Sequence, residues 1–235
     1  MSIADSIAII PARGGSRRIP RKNIAEFMGK PLIAWSIDAA RQSGCFEQVL
    51  VSTDDPEIAE VAKAFGAVVP FLRQETADDH SPASLATLEA LDQYAAWHGR
   101  AAKLVTQLLP TCPLRTADHV RDSFAAFQSG SAKFLLSCTD YGPTNPWWAV
   151  AIAKDGTPRP LFPEAMTKRS QDLETIYCPS GAIWIAEVAA LQASRSFYGP
   201  GHRFWPMDWR AAVDIDTPED LALARALAGI PAQKP

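Results

Sequence analysis

The feature that most constrains the fold of this chain is a regular alternation of short apolar runs with stretches of helical periodicity. Apolar runs predict strands at 7–12, 48–52, 67–72, 104–109 and 134–138, and helical spacing predicts helices at 31–43, 56–66, 84–97 and 117–128. Strands that alternate with helices favour parallel pairing, with helices on both faces of the sheet. We therefore expect an α/β fold around a mostly parallel sheet, in a single domain over residues 1–235.

Two later segments complete this expectation. Ala212–Ile215 predicts a short final strand, followed by a helix that Thr217 caps and Pro218 begins. The proline-rich stretch 141–177, which contains Trp147 and Trp148, breaks the alternation. We interpret 141–177 as an excursion from the sheet, a lid or a dimerisation arm; a local aromatic cluster under a long loop is an equal alternative.

Composition limits the classes of protein to consider. The chain has 235 residues, a net charge of -3 and 47% hydrophobic residues, which is ordinary for a globular protein. It shows no apolar run long enough for a membrane span and no signal peptide. Its four scattered cysteines indicate reduced thiols, and its four histidines show no zinc spacing. We expect a cytoplasmic protein that binds neither membrane nor nucleic acid.

A concentration of positive charge follows the first predicted strand. Five basic side chains lie within the ten residues Arg13–Lys22, directly around the Gly14-Gly15 pair. Glycines let backbone amides approach a ligand, and arginines suit phosphates, so a phosphate site is favoured over the alternative of a solvated basic surface. The chain lacks G-x-G-x-x-G after this strand and lacks a P-loop, which disfavours dinucleotide redox chemistry and P-loop ATP hydrolysis.

Asp214 and Asp216 form the second candidate feature. In a strand, residues two apart point to the same side, so both carboxylates would face one way and could hold Mg²⁺ together with substrate phosphates. The alternative is a solvated strand end before a helix cap. Three further arginines, Arg73, Arg115 and Arg169, could serve a site, although for each of them alone a surface position is the default interpretation.

Taken together, these residues resemble the CMP-sugar synthetases, in particular the cytidylyltransferases of sialic and related nine-carbon acids. The motifs that carry the resemblance lie at 10–16, 21–23, 51–54, 71–73, 109–115, 169–171, 180–185 and 214–217. It covers the chain from Ile7 to about Leu227. The resemblance implies a Rossmann-like three-layer α/β/α nucleotide-diphospho-sugar transferase fold, a cytoplasmic homodimer, and Mg²⁺-dependent transfer from CTP to a nonulosonic acid, with release of pyrophosphate.

The resemblance also implies roles for individual residues. CTP would be bound by Ala12, Arg13, Gly14, Gly15, Lys22, Asn23 and Arg73. Arg13 and Asp216 would be catalytic, and Asp214 and Asp216 would hold the metal ion. Arg169 and Gln171 would lie near the sugar acid, on the segment that packs at the dimer interface.

Two departures from the family pattern fall toward the sugar. Leu109 stands where the family usually has a glutamine that contacts the substrate. Gln107, on the same strand face, could take over this contact. Ser180 stands where the family usually has an asparagine. Residues 17–22 resemble the pseudaminic and legionaminic acid members, whereas 180–183 resemble the neuraminate members. The alternatives are a cytidylyltransferase for the eight-carbon acid Kdo, another sugar nucleotidyltransferase, or a nucleotide-binding module without turnover.

Overall fold

The computed structural model describes residues 5–74, 82–142 and 144–230. Its strands are β1 (Ser6–Pro11), β2 (Glu26–Phe27), β3 (Lys30–Pro31), β4 (Gln48–Ser52), β5 (Leu104–Gln107), β6 (Phe134–Asp140), β7 (Val150–Ile152), β8 (Pro158–Pro160), β9 (Tyr177–Glu187) and β10 (Arg203–Pro206). Its α-helices are α1 (Leu32–Ser43), α2 (Pro56–Ala64), α3 (Ala83–His98), α4 (Ala117–Ser129), α5 (Val188–Ser194) and α6 (Pro218–Ala228).

Six strands form the central sheet, in the order β10-β6-β9-β5-β1-β4. Strand β1 runs parallel to β4 and β5, and β10 runs parallel to β6. Only β9 is antiparallel to its neighbours β5 and β6. The expectation of a mostly parallel sheet is confirmed, and the carboxyl ends of β1, β4 and β5 meet at one edge, where open α/β sheets bind their ligands.

Helices cover both faces of this sheet. Apolar side chains of α1, α2 and α4, such as Ile37, Ile58 and Phe124, pack against one face. Leu91 and Tyr94 of α3 and Leu191 of α5 pack against the other face. The three-layer α/β/α expectation is therefore confirmed, and burial of these two apolar layers holds the sheet between its helices.

Two predicted strands are wrong. Within 67–72, only Val68 makes a parallel bridge, to Leu50, and Pro70 has no N–H with which to extend the pairing. Ala212–Ile215 is not a strand because turns curl the backbone there: the amide of Ala212 donates to the carbonyl of Trp209. The sequence analysis assigned no strand to β9 or β10.

The segment between β6 and β9 leaves the central sheet. Its strands β7 and β8 form a separate antiparallel pair, with Val150 opposite Pro160. Trp148 donates from its indole nitrogen to the carbonyl of Ala165 at 3.1 Å, and this hydrogen bond joins two parts of the excursion. Whether it serves as a lid or a dimerisation arm stays a prediction.

Capping residues begin the helices beside the site as their sequence indicates. Asp55 accepts hydrogen bonds from the amides of Glu57 and Ile58, and Thr217 accepts one from Asp220. Helix α1 begins after Pro31 and ends at Gly44, whose φ of 68° favours glycine. Among the described residues, no helix has the length and apolarity needed to cross a bilayer.

Candidate active site

The loop that leaves β1 is fastened to the end of β4. Ala12 donates to the carbonyl of Ser52 at 2.9 Å, and Gly14 donates from its amide to Asp54 Oδ1 at 2.9 Å. The side-chain amide of Asn23 donates to the carbonyl of Arg13 at 2.9 Å. These bonds fix the path of the basic loop, so it does not have to order itself when a ligand binds.

Gly14 is required by close packing. A Cβ atom at this position would lie 2.6 Å from Asp55 Oδ2, whereas one at Gly15 would meet nothing within 4 Å. Because the Gly14 amide is already bonded to Asp54, the loop presents its basic side chains rather than this amide to the cavity.

The loop contacts the aspartate pair from the other end of the chain. Lys22 donates from Nζ to Asp216 Oδ1 at 2.9 Å and to the carbonyl of Ile215 at 2.8 Å. Arg18 Nη2 lies 2.9 Å from Asp216 Oδ2. The amide of Ile215 donates to the carbonyl of Thr111 at 2.8 Å, which fastens the pair beside the loop after β5. Segments that are nearly two hundred residues apart thus form one site.

A concave cavity of about 460 Å³ lies between these segments. Its charged lining residues are Arg13, Arg17, Arg18, Lys22, Arg73, Asp214 and Asp216, and its apolar lining includes Ala83, Ala86, Leu109 and Pro110. This volume is in the range of small-molecule sites, and the excess of cations suits an anionic ligand.

Arg73 forms the deep wall of the cavity. Its amide donates to the carbonyl of Thr53 at 2.7 Å, and its Nη2 lies 4.0 Å from Asp54 Oδ1. Its Nε is buried and has no hydrogen-bond partner within residues 5–74, 82–142 and 144–230, and burial lowers the pKa of Arg73 despite the nearby carboxylates. A buried donor without a partner favours a ligand that accepts a hydrogen bond there.

The two aspartates have opposite pKa shifts. Asp214 opens into the cavity, but the protein around it removes bulk water and raises its pKa, and neighbouring Asp216 adds to this shift. Desolvation also opposes ionisation of Asp216, but the hydrogen bond and charge of Lys22 outweigh it, so the pKa of Asp216 is lowered. Asp216 is therefore held firmly as an anion beside a carboxyl group that protonates more readily.

The donor set fits a magnesium ion that is shared with a substrate. Asp214 and Asp216 offer hard carboxylate oxygens, and within the described ranges no cluster of three or more His, Cys, Asp or Glu side chains forms a complete metal cage. Mg²⁺ takes few protein carboxylates and completes its octahedron with water and phosphate oxygens.

Three residues with expected substrate roles lie elsewhere. Gln107 is fully buried beneath the cavity, where its Oε1 accepts from Thr87 at 2.7 Å and its Nε2 has no partner among the described residues. Arg169 and Gln171 lie on the excursion, and Arg169 pairs with Asp172 at 2.8 Å. The structure does not bring these three to the cavity surface of the single chain.

Leu109 forms the cavity wall on the side of β9. A Cβ atom at Gly181 would lie 2.4 Å from Leu109 Cδ1 and 3.7 Å from Asp214 Oδ2. The leucine thus lies across Gly181, close to the aspartate pair, and the absence of a side chain at Gly181 makes room for it. This part of the wall offers no hydrogen bond to a ligand.

Arg115 has a structural role that the sequence analysis left open. It is buried and donates to the carbonyl of Ala182 at 2.5 Å and to Ser36 Oγ at 2.6 Å. Burial lowers the pKa of Arg115 to about 10. Its guanidinium joins α1 to β9 beneath the cavity.

From the sequence alone, Arg18 has no role of its own, and Asp54 is a candidate only as the cap of the helix near Pro56, a position that Asp55 takes. Arg18 pairs with Asp216, and Asp54 holds the amide of Gly14. Asp54 could have been found as the first acid after the β4 strand, at the sheet edge that gathers ligands. Nothing in the basic run distinguishes Arg18 from its neighbours before the fold is known.

Comparisons with known proteins identify the family of this chain. Residues 7–110 match the model of a family described as cytidylyltransferases. A pseudaminic acid cytidylyltransferase of Campylobacter jejuni is 34% identical over 223 residues, which cover 94% of this chain and 95% of that protein. A CMP-N,N'-diacetyllegionaminic acid synthase of Legionella pneumophila is 35% identical over 230 residues, again covering 94% and 95%. An N-acylneuraminate cytidylyltransferase of Escherichia coli is 30% identical over 93% of this chain and 51% of its own length.

Solved structures show the same fold. A CMP:2-keto-3-deoxy-manno-octonic acid synthetase complexed with CTP superposes with a TM-score of 0.71 at 20% identity, covering 96% of this chain and 98% of that one. The similarity to this structure shows the fold. The family is shown by the sequence relatives, which match this chain over nearly its full length. This chain belongs to the nonulosonic acid cytidylyltransferase family and is a nucleotidyltransferase.

Proposed function

We propose that the enzyme transfers the cytidylyl group of CTP to the anomeric hydroxyl of a nonulosonic acid, which gives a CMP-nonulosonate and pyrophosphate. The observation that carries this proposal is the contact of the basic loop with the aspartate pair, through Lys22 and Arg18 on Asp216. A triphosphate and a divalent ion need these two charge types side by side. The names of the sequence relatives support the nine-carbon acids over Kdo as substrates.

The reaction is a direct displacement at phosphorus. The anomeric oxygen forms a bond to the α-phosphorus and loses its proton to solvent, the bond from that phosphorus to the bridging oxygen breaks, and pyrophosphate leaves with the electron pair. Arg13 and Lys22 place positive charge beside the triphosphate and stabilise the charge that develops on its oxygens. Arg73 lies deeper and orients the cytidine.

Within the loop, Asn23 supports nucleotide binding by its hydrogen bond to the carbonyl of Arg13. Gly14 supports it by letting the loop backbone pack closely against Asp55. Ala12 and Gly15 complete the turn that presents these side chains. The role of Asn23 in nucleotide binding is thus exerted through Arg13, whose position it fixes.

Asp214 and Asp216 would hold Mg²⁺ in this reaction. The bound ion would neutralise phosphate oxygens and lower the pKa of a coordinated hydroxyl. Contact with Lys22 lowers the pKa of Asp216, so this ligand stays ionised further into the acid range than a free aspartate.

A homodimer would use the excursion at 141–177. This segment exposes the apolar side chains Val150, Ile152, Leu161 and Met166. Exposed apolar surface on a projecting segment favours a protein partner, and a second copy fits the expected arm. Because Arg169 and Gln171 lie outside the cavity of their own chain, a role toward the sugar acid requires the second protomer.

A cytoplasmic location is supported by the cysteines. All four are free thiols, and Cys112 and Cys138 are buried. Proteins kept in a reducing compartment retain such thiols, whereas oxidising compartments favour disulfides.

The test is a pyrophosphate-release panel with CTP, Mg²⁺ and neuraminic, legionaminic, pseudaminic or Kdo acid. The proposal predicts release with at least one nonulosonic acid, above the release with Kdo, and little release when ATP replaces CTP. Release with Kdo alone would make the enzyme a Kdo cytidylyltransferase. Binding of CTP without release for any acid would favour a nucleotide-binding module.

A further inference from the structure

Both oxygens of the Asp216 carboxylate are occupied by cations of the basic loop. Lys22 Nζ lies 2.9 Å from Oδ1, and Arg18 Nη2 lies 2.9 Å from Oδ2. A divalent ion on the same carboxylate would lie close to these two cations and repel them, so ion binding at Asp216 weakens both contacts.

The two cations are not equally easy to displace. The Lys22 side chain is 14% exposed and has a second hydrogen bond, to the carbonyl of Ile215. The Arg18 side chain is 61% exposed, and its ion pair with Asp216 is open to solvent. Exposed ion pairs are weak and exchange readily, so Arg18 is the cation that would leave.

Arg18 lines the same cavity as Arg13 and Arg17, where the triphosphate would bind. A guanidinium can bind phosphate oxygens through two parallel hydrogen bonds, whereas its contact with Asp216 is an exposed ion pair. When the ion brings positive charge to Asp216 and the nucleotide brings negative charge, both changes favour movement of Arg18 from carboxylate to phosphate.

We propose that Arg18 is a positioning residue that serves as a placeholder for the divalent ion at Asp216. It pairs with the carboxylate in the ion-free enzyme and moves to the triphosphate when nucleotide and ion bind. This keeps Asp216 charge-balanced before the ion arrives and makes ion and nucleotide favour each other's binding. The inference rests on the proposed function, because it takes Asp216 as an ion ligand.

The test measures Mn²⁺ binding to the nucleotide-free protein by the electron paramagnetic resonance signal of free Mn²⁺. Removal of a placeholder frees a ligand, so Arg18→Gln should bind Mn²⁺ about twofold to fivefold more tightly than the wild type. The same variant should bind CTP about fivefold more weakly when Mn²⁺ is present, and the loss should be smaller in EDTA, where Asp216 still holds the guanidinium of the wild type. This opposite effect on the two ligands distinguishes a placeholder from a purely structural arginine.

Arg17→Gln is the matched control, because it removes the same charge one residue earlier and leaves the Arg18–Asp216 pair in place. At about 0.15 M salt, where distant charges are screened, its Mn²⁺ affinity should stay within about twofold of the wild type. Arg18→Ala is a second variant that, like Arg18→Gln, should bind Mn²⁺ more tightly than the wild type. Thermal unfolding of each variant reports whether it folds.

Asp216→Asn separates failure of this inference from failure of the proposed function. If Asp216→Asn loses Mn²⁺ binding but Arg18→Gln binds Mn²⁺ no more tightly than the wild type or Arg17→Gln, the placeholder role is overturned and the ion site stands. If Mn²⁺ binding does not depend on Asp216 in any variant, the ion site itself is wrong, and the placeholder role is overturned with it.

Discussion

At the scale of single residues, Asp216 has two tasks that substitution can separate. It would bind the ion, and it holds Lys22 and Arg18. Asp216→Ala removes the ion ligand but leaves two cations free to bind phosphate. We expect turnover in Mg²⁺ to fall by about 100-fold or more, while CTP affinity changes far less. Pyrophosphate release and a CTP titration measure the two effects, and near-normal turnover would refute the role.

Gly14 and Gly15 offer a matched pair at the same scale. Alanine at Gly14 would place Cβ 2.6 Å from Asp55 Oδ2, and alanine at Gly15 would meet nothing within 4 Å. We expect Gly14→Ala to lower the free energy of unfolding by about 1–3 kcal/mol, as overpacking does. Urea unfolding should show little change for Gly15→Ala. Equal effects of the two substitutions would mean that contact with Asp55 does not fix the loop.

At the scale of elements, the Asp55–Arg21 ion pair joins the basic loop to the beginning of α2. The hydrogen bond from Arg21 lowers the pKa of Asp55, and desolvation opposes this only in part. Because the folded state favours the ionised carboxyl, this stabilisation is present at neutral pH and is lost as pH falls through the lowered pKa.

The variant Asp55→Asn tests this pH dependence, because it keeps a side-chain oxygen at the cap and removes the charge. Its deficit in unfolding free energy should be about 1 kcal/mol at pH 7 and should shrink on acidification. Urea unfolding across the acidic range measures it. Asp118→Asn, on an exposed ion pair with Arg121, serves as the control and should cost less. A deficit for Asp55→Asn that is constant with pH would contradict the account.

The sequence predicted the strands that are apolar runs and the helices whose apolar residues recur at helical spacing. β1, β4, β5 and β6 are apolar runs, and the caps of α2 and α6 follow from Asp55 and Thr217. The long strand β9 was not predicted, because it begins at the edge of the proline-rich excursion, although Ala182–Ala186 is an apolar run like those of the other strands. Its antiparallel pairing has no local signal, since the sheet position of β9 depends on partners far away in the chain.

The site was predictable in its charged parts and not in its geometry. The basic loop and Asp214 and Asp216 were selected as residue types suited to phosphate and Mg²⁺. Their proximity depends on the contact between Lys22 and Asp216, and irregular backbone, not a strand, presents both aspartates. The pairing of Arg18 and the burial of Arg115 are tertiary facts that residue type alone does not encode.

At the scale of the whole molecule, the excursion should determine the oligomeric state. Ile152 is 72% exposed in the single chain, so Ile152→Asp should not destabilise the fold. If the arm forms a dimer, this change buries a charge at the interface and should give a monomer in light scattering coupled to size exclusion. Ile230→Asp, at an exposed isoleucine outside the arm, should leave the dimer intact. A monomeric wild type would exclude the dimerisation arm and leave a lid or a local aromatic cluster as the interpretation of 141–177.

The central claim is that the basic loop and the aspartate pair bind one triphosphate and one metal ion together. A crystal structure with CTP and Mn²⁺, read by the anomalous signal of manganese, tests it most directly. The account predicts a manganese peak in contact with Asp216 and with phosphate oxygens that also contact Arg13. A triphosphate at the basic loop with manganese bound elsewhere, or manganese at Asp216 without phosphate contacts, would contradict it.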